Sequence, residues 1–240
     1  MQTVASPLER SRPWRRAAAG AVAALAFVPL MASAQYIMEF AQTYAAPTSN
    51  FISNTFLNQE ALINATRPDA PRAAVRPVAL AAPQVARSAT ELAQAAPAAQ
   101  RARLEKLYVQ LMPGYQQLER KLGWPADDVA GAMAALLAGN YMAMTGTELS
   151  DEAVSAAGHQ LREAASVQRL LSQLSAADRR RLYEQCAMLG TFMALANKTS
   201  QQQPANVVAN LRQSARENLR VVLGNAVDNL RFSPQGIQLQ

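Results

Sequence analysis

Cysteine and histidine are nearly absent from this sequence of 240 residues, which contains one of each. A single cysteine, Cys186, excludes an intramolecular disulfide, and its apolar neighbours predict a buried, inert thiol. A single histidine, His159, excludes multi-histidine metal sites, and its polar helical surroundings predict a solvated surface position. Gly-rich phosphate-binding loops and calcium-loop spacings are also missing from the sequence. We therefore expect no metal site and no cofactor.

The first 34 residues have the order of a secretory signal peptide. An uncharged run from Ala17 to Leu30 ends in the tripeptide Ala32-Ser33-Ala34 and follows four arginines, Arg10, Arg12, Arg15 and Arg16. This order predicts cleavage after Ala34. The run has about 14 residues, short of the roughly 20 that a spanning helix needs, so an uncleaved membrane anchor is the weaker alternative. After cleavage we expect no membrane span.

Signal-peptide removal also changes the charge balance. It takes away four of the 23 basic and one of the 17 acidic residues, which lowers the net charge from +6 to +3. A nucleic-acid-binding surface needs basic residues gathered on one face, and a charge of this size spread over the mature chain does not provide them. We therefore expect no nucleic-acid partner.

Residues 35–100 are predicted to form an N-terminal arm and a disordered linker. Aromatic residues at positions 36, 40 and 44 either form a short helix that docks on the domain or a partner, or remain poorly ordered. From 65 to 100, Ala, Pro and Val dominate, and prolines interrupt any helix at Pro68, Pro71, Pro77, Pro83 and Pro97. Few large apolar side chains offset the entropy of ordering, which predicts an extended linker.

The remaining residues, 101–240, predict an all-α bundle of about five helices. Apolar residues recur at three- and four-residue spacing, and Ser150, Ser175 and Gly146 are well placed as helix caps. Pro113 predicts either a kinked first helix or two coaxial pieces. Alternating residues around Pro234 predict a short hairpin or an extended tail. The expected helices cover approximately 101–122, 126–145, 151–171, 176–197 and 205–223.

Two stripes of small residues predict which helices pack most closely. The second and fourth predicted helices each carry small side chains at spacings of three or four residues, and such a stripe lets another helix approach closely. The stripe on the second helix consists of Gly131, Ala135, Gly139 and Ala143, and the stripe on the fourth consists of Ala187, Gly190 and Ala194. We therefore predict that these two helices pack against each other through the two stripes.

Carboxylates are the main candidates for chemistry. Asp127 and Asp128 follow Pro125 and are predicted to be first-turn charges that favour the positive end of the helix dipole. Glu184 lies four residues after Arg180, which predicts a surface ion pair. Because Glu184 sits in an otherwise apolar helix, it is also the weak candidate for a catalytic acid.

The last helix offers the best surface for an acidic partner. Arg212, Arg216 and Arg220 follow one another at spacing four, with Glu217 as the only acidic residue among them. Such a row is either an ordinary solvated face or a binding site for an acidic partner, whether a protein, a phospholipid or a wall polymer. Asn140 is a weak ligand-binding candidate too, although a buried amide that bridges helices is the commoner arrangement.

Several short segments together resemble a domain of unknown function found in uncharacterised exported proteobacterial proteins. The similar segments are Gly123-Trp124-Pro125 with Asp127-Asp128-Val129-Ala130, Gly139-Asn140-Tyr141-Met142, Tyr183-Glu184-Gln185 and Leu189-Gly190-Thr191. The resemblance would cover roughly residues 101–240. It implies an envelope or secreted location and no assigned activity, and it marks Trp124, Asn140, Tyr183 and Glu184 as positions to test.

These observations favour a non-enzymatic protein. We expect an exported helical binding or structural module of the bacterial cell envelope, periplasmic or secreted, whose partner is an envelope protein or an anionic polymer. The alternative is a cell-wall-directed hydrolase that uses Glu184 as acid with a second carboxylate across a cleft.

Overall fold

The computed structural model describes residues 59–239, and its architecture there is all-α. The predicted signal peptide and aromatic arm lie outside the described residues. A 3₁₀ turn at Gly224–Asn229 joins the last helix to a hairpin of β1 (Leu230–Ser233) and β2 (Gly236–Leu239). The described residues contain eight α-helices: α1 (Gln59–Ala65), α2 (Val85–Ala93), α3 (Ala98–Lys121), α4 (Val129–Thr145), α5 (Asp151–Glu163), α6 (Ala165–Gln173), α7 (Ala176–Ser200) and α8 (Ala205–Leu223).

Helix α4 is the centre of the bundle and packs most extensively against α7. Every residue from 129 to 140 is buried. A Cβ on Gly139 would lie 2.1 Å from the carbonyl oxygen of Gly190, and a Cβ on Gly190 would lie 2.5 Å from the backbone of Ala135. The two helices therefore meet backbone to backbone, which confirms the predicted packing. Gly131 differs, because its Cβ would instead lie 2.7 Å from the ring of Trp124.

Helix caps confirm several predicted boundaries. The Ser150 hydroxyl accepts a hydrogen bond from the backbone N–H of Ala153 at 3.3 Å, and the Ser175 hydroxyl accepts one from Asp178 at 3.1 Å. Gly146 ends α4 with a left-handed φ of 74°, a conformation that glycine adopts without steric cost. Pro113 lies inside a single continuous α3, so the alternative of two helical pieces is wrong.

The predicted third helix is divided in two at Ala164. This residue takes an extended conformation, with φ −67° and ψ 123°, and pairs as an isolated β-bridge with Arg72. The backbone N–H of Ala73 donates to the carbonyl of Glu163 at 2.8 Å, and that of Ala165 donates to the carbonyl of Pro71 at 2.9 Å. At the break, hydrogen bonds to the extended segment around Arg72 therefore replace the hydrogen bonds that a continuous helix would make.

That segment corrects the prediction of a disordered linker. Residues 66–84, which we call the strap, are held by the ends of α5, α6 and α7. Ala81 donates its N–H to the carbonyl of Ala176 at 3.0 Å, and Arg179 donates its Nε–H to the carbonyl of Ala79 at 2.9 Å. Prolines do prevent helix formation in the strap, but its backbone forms hydrogen bonds with residues that are distant in the sequence. The packed structure therefore includes residues 59–100 as well as the predicted domain.

The C-terminal hairpin is confirmed, and it is held on the bundle by buried side chains and by hydrogen bonds of Gln160. Leu230 pairs with Leu239 in an antiparallel register, and Leu230 and Ile237 are buried. The Gln160 amide oxygen accepts the N–H of Ile237 at 2.6 Å, and its nitrogen donates to the carbonyls of Ile237 and Ala65 at 3.0 and 3.1 Å. None of the helices in residues 59–239 is long and apolar enough to cross a membrane.

Candidate functional site

The turn between α3 and α4 is bound to two other helices by ion pairs. Asp127 takes a positive φ of 61°, and its two carboxylate oxygens accept hydrogen bonds from the guanidinium of Arg180 at 2.7 and 2.9 Å. Asp128 accepts the Nε–H of Arg162 at 3.0 Å and a second hydrogen bond from the same guanidinium. Both arginine side chains are nearly buried, so each charge is satisfied within the protein.

This geometry corrects the prediction that the two aspartates are first-turn charges. Helix α4 begins at Val129, after both of them, and the Asp128 side chain makes no capping hydrogen bond. The carboxylates point instead to Arg162 on α5 and Arg180 on α7. They therefore fasten the α3–α4 turn to the bundle.

A buried carboxyl group lies beneath this turn. Glu119, near the end of α3, is 3% exposed, and its carboxylate accepts the N–H of Asp128 at 3.1 Å and the hydroxyl of Tyr183 at 3.3 Å. Its own backbone carbonyl accepts the N–H of Trp124 at 3.0 Å. Burial raises the pKa of Glu119 to about 7, although the hydrogen bonds from Asp128 and Tyr183 act in the opposite direction.

The raised pKa of Glu119 makes the stability of the protein dependent on pH. Between the ordinary pKa of 4.5 and about 7, the folded protein keeps a proton on Glu119 that the unfolded chain has lost. The contribution of this group to stability is therefore full below pH 4.5 and is lost as pH rises through 7. The loss amounts to about 3 kcal/mol, at roughly 1.4 kcal/mol for each unit of pKa difference.

Two tyrosines lie next to this carboxyl group, and Trp124 belongs to the same buried core. Tyr115 and Tyr183 meet edge to face with ring centroids 5.7 Å apart, and the guanidinium of Arg180 lies 5.5 Å from the centre of the Tyr183 ring. Burial raises the pKa of Tyr115 and of Tyr183 well above the usual range. The Tyr115 hydroxyl and the Trp124 indole N–H are buried without a hydrogen-bond partner among the described residues. Because the cluster is closed from solvent, its evident effect is to hold the α3–α4 turn.

Trp124 anchors the turn by filling the space beside two glycines. A Cβ on Gly131 or Gly158 would lie 2.7 or 2.5 Å from its indole ring. The ring therefore lies directly on the backbones of α4 and α5, and Trp124 is 5% exposed. The structure places Trp124 and Tyr183, which the sequence marked separately, in one buried cluster.

Glu184 is buried and does not form the predicted surface ion pair with Arg180. It is 1% exposed, and its carboxylate oxygens accept the N–H of Gln84 at 2.8 Å and the hydroxyl of Ser88 at 2.6 Å. Arg180 binds Asp127 instead. The difference arises because the strap and α2 cover this part of α7. Glu184 thus ties the end of the strap to the core.

Asn140 is a buried amide that bridges two helices, the commoner of the two arrangements that the sequence left open. Its nitrogen donates to the carbonyl of Leu136 at 2.8 Å, and its oxygen accepts from the amide of Asn218 on α8 at 2.9 Å. Asn140 is 1% exposed. Its hydrogen bonds stay within the protein and connect α4 to α8.

The predicted basic row lies on the exposed side of α8. Arg212, Arg216 and Arg220 are all exposed, and Arg216 forms an ion pair with Asp228 in the 3₁₀ turn. Within residues 59–239, Arg212 and Arg220 make no ion pair with a carboxylate. Arg212 also borders a cleft of 200 Å³ between the ends of α4 and α7 and the side of α8.

Neither Cys186 nor His159 stands at a reactive centre. Cys186 is buried, as predicted, and burial raises the pKa of its thiol well above the usual range. His159 is exposed, and its Nδ1 lies 3.1 Å from the guanidinium of Arg162. In the described part of the chain, no three His, Cys, Asp or Glu side chains are placed to hold a metal ion.

Sequence reasoning missed three important polar residues, Glu119, Arg162 and Asn197. Glu119 had a detectable signal, because it lies four residues after Tyr115 and in phase with the apolar stripe of α3. A carboxylate at a core-facing position is uncommon unless it is paired or neutral. Arg162 and Asn197 gave no comparable signal, since their surroundings come from other helices.

Comparison with known proteins identifies a family. The model described as "Family of unknown function (DUF6683)" matches residues 14–240. The match extends well beyond the range of 101–240 expected from the resemblance, and it includes the strap and the first two described helices. No curated protein and no solved structure matches the chain. Because the match covers nearly the whole sequence, this chain belongs to the family of unknown function DUF6683.

Proposed function

We propose that this protein is an exported helical binding or structural module of the bacterial cell envelope, periplasmic or secreted, that contacts an envelope protein or an anionic polymer through α8. One observation carries the proposal: Arg212 and Arg220 are exposed on α8 and form no ion pair with a carboxylate of the described chain. Their charge is therefore available to a partner.

The spacing of the basic row suits an extended acidic partner. Positions four apart on a helix are separated by roughly 6 Å along its axis, so the row extends for about 12 Å. Arginine presents several N–H donors in a planar fork that matches carboxylates and phosphates. By contrast, Arg162 on α5 and Arg180 on α7 already bind aspartates of this chain.

The proposed location depends on the sequence of residues 1–34, which has the order of a secretory signal peptide. It is tested by fractionating bacterial cells that produce the protein with a C-terminal tag, followed by mass spectrometry of its N-terminus. We expect an exported protein that begins at Gln35. A full-length chain retained in the cytoplasm would contradict the proposal.

The geometry favours a binding module over a hydrolase that uses Glu184. A catalytic acid must reach its substrate, whereas Glu184 is 1% exposed and both of its carboxylate oxygens accept hydrogen bonds from this chain. The strap covers it. Glu184 therefore has a sufficient role in attaching the strap.

The test of the binding surface is cross-linking in living cells with charge-reversed variants. Arg212→Glu/Arg220→Glu is the informative pair, since neither residue forms an ion pair with a described carboxylate. Arg120→Glu/Arg169→Glu is the matched control, because it changes the net charge equally at exposed arginines on α3 and α6. We expect the α8 pair to lose the cross-linked partner, identified by mass spectrometry, and the control pair to keep it. Equal loss in both pairs, or retention in both, would contradict α8 as the contact surface.

A further inference from the structure

The cleft beside α8 is lined by polar and apolar groups from three helices. It lies where α4 and α7 end and where α8 passes beside them, and its volume is 200 Å³. Pockets for drug-sized ligands have about 300–1,000 Å³, so the cleft suits a small group rather than a large ligand. Its lining residues are Ala143, Gly146, Asn197, Ser200, Gln201, Val208 and Arg212.

Asn197 is the unusual member of this set. It is 3% exposed, lies in the last turns of α7 and lines the cleft, yet its side-chain amide forms no hydrogen bond with any residue from 59 to 239. The comparable buried amide, Asn140, is satisfied by protein groups on both of its atoms. The Asn197 amide thus faces the cleft with its hydrogen-bonding capacity unused.

Arg212 supplies the positive charge at the mouth of the cleft. A Cβ on Gly146 would lie 3.1 Å from its terminal nitrogen, so the absence of a side chain at Gly146 leaves room for the guanidinium. Ser200 donates its hydroxyl proton to the carbonyl of Asn197 at 2.8 Å, which leaves the hydroxyl oxygen as an acceptor. A cation and an amide donor therefore converge on one small space, whereas the Ser200 hydroxyl, whose proton is already donated, offers only an acceptor.

We propose that this cleft binds a carboxylate group, with Arg212 as its ion-pair partner and the Asn197 amide as a second hydrogen-bond donor. The inference rests on the proposed function, because it names the chemical group that the α8 surface recognises. The guanidinium fork binds both oxygens of a carboxylate. The apolar walls, Ala143 and Val208, fit a short aliphatic group next to that carboxylate.

The position of the cleft favours a carboxylate over a phosphate. The C-terminal ends of α4 and α7 border it, and helix C-termini carry partial negative charge. This charge opposes a doubly charged phosphate more strongly than a singly charged carboxylate. The carboxylate can come from a free small acid or from the C-terminus of a peptide chain, and the test separates these two sources.

The test is a titration of the full, isotopically labelled protein by NMR, which follows the side-chain amide of Asn197 and the Nε–H of Arg212. The probes are propionate, the peptide tetra-alanine with a free C-terminus, the same peptide with an amidated C-terminus, and inorganic phosphate. We expect saturable shifts at both side chains with propionate and the free peptide only. Tighter binding of the free peptide identifies a peptide C-terminus, whereas equal binding identifies the small acid.

Variants separate a built site from general charge attraction. We expect Arg212→Gln and Asn197→Asp each to weaken propionate binding at least tenfold, because the first removes the cation and the second places a negative charge in the cleft. Arg169→Gln, at an exposed arginine on α6, is the matched control and should change the affinity less than twofold. Equal weakening by Arg212→Gln and Arg169→Gln would overturn the inference, as would stronger binding of phosphate or the absence of saturable shifts in the wild type.

The two proposals fail in distinguishable ways. If Arg212→Glu/Arg220→Glu abolishes partner cross-linking but propionate leaves the Asn197 amide unshifted, the carboxylate site is wrong and the α8 contact surface stands. If propionate binds with the expected variant pattern but cross-linking is unaffected by the charge reversal, the contact surface is wrong and the carboxylate site stands.

Discussion

The close contact between α4 and α7 makes Gly139 a sharp test of the fold. Replacing Gly139 with alanine adds one methyl group, whose carbon would lie 2.1 Å from the carbonyl oxygen of Gly190. Real Cβ atoms essentially never approach closer than 3.0 Å, and the obstructing atom belongs to the helix backbone rather than to a flexible side chain. The helices must therefore separate by roughly 1 Å before this distance even reaches 3.0 Å.

The expected cost combines two opposing effects. A gap of 0.5–1 Å forfeits about a quarter to a half of the dispersion energy between the separated atoms, and overpacking of a tight core costs about 1–3 kcal/mol. The cost of overpacking here should be about 3 kcal/mol, the upper end of that range, because the backbone atoms of both helices must move apart. Alanine is more favourable than glycine in a helix interior by about 1 kcal/mol. The net loss of unfolding free energy is therefore about 2 kcal/mol, which lowers the Tm by roughly 4–8 °C.

The assay is urea and thermal unfolding followed by circular dichroism. Gly190→Ala should cost a similar amount, because its Cβ would lie 2.5 Å from the backbone of Ala135. The double variant should cost less than the sum, since one separation relieves both clashes. Gly123→Ala is the control: its Cβ would meet nothing within 4 Å, so only its positive φ is penalised, by about 1 kcal/mol. A Gly139→Ala protein as stable as the wild type would refute the reasoning.

Two further predictions concern buried carboxyl groups. Glu119→Gln should match the wild type in stability at pH 4.5 and exceed it by up to about 3 kcal/mol at pH 8. The reason is that ionisation of the buried acid destabilises the wild type at high pH, whereas an amide cannot ionise. Urea unfolding at a series of pH values measures the difference. Glu184→Ala should lower stability by about 2–4 kcal/mol, since it leaves the buried Ser88 hydroxyl and the Gln84 N–H without their acceptor. It should also speed tryptic cleavage in the strap, residues 66–84, which gel electrophoresis detects.

Each of these predictions has its own control. If the stability of Glu119→Gln changed with pH as that of the wild type does, a group other than Glu119 would be responsible for the pH dependence. For Glu184, the matched variant is Ser88→Ala, which removes one of the two hydrogen bonds and should have a smaller effect on strap cleavage. Unchanged stability and unchanged cleavage in Glu184→Ala would contradict its role in holding the strap.

The main features of the bundle could be predicted from local sequence signals. Helix periodicity depends on residues three and four apart, and caps such as Ser150 and Gly146 depend on a few neighbouring residues. The contact at Gly139 was predictable as well, because a stripe of small residues on an uncharged helix is typical of a close helix–helix contact. These features need no knowledge of distant parts of the chain.

The strap could not be predicted in the same way. The predicted helix-free linker was 65–100. Residues 66–84 indeed form no helix, but the prediction is wrong for α2, Val85–Ala93, and the absence of a helix in the strap does not imply disorder. Ala81 and Gln84 are ordered by partners on α7, and Gln84 and Glu184 are 100 residues apart in the chain. Hydrogen-bond partners so far apart in the chain produce no recognisable pattern in the local sequence.

The sequence by itself determined the all-α class, most helix boundaries within 101–240, the terminal hairpin and the basic row on α8, because each depends on contacts within a few residues. Only the tertiary structure decided the roles of the charged groups. Asp127 reaches an arginine 53 residues away, Asp128 reaches one 34 residues away, and Asn197 faces a cleft made by three helices. The burial and pairing of a polar side chain are set by whichever elements surround it, and the folded chain alone brings those elements together.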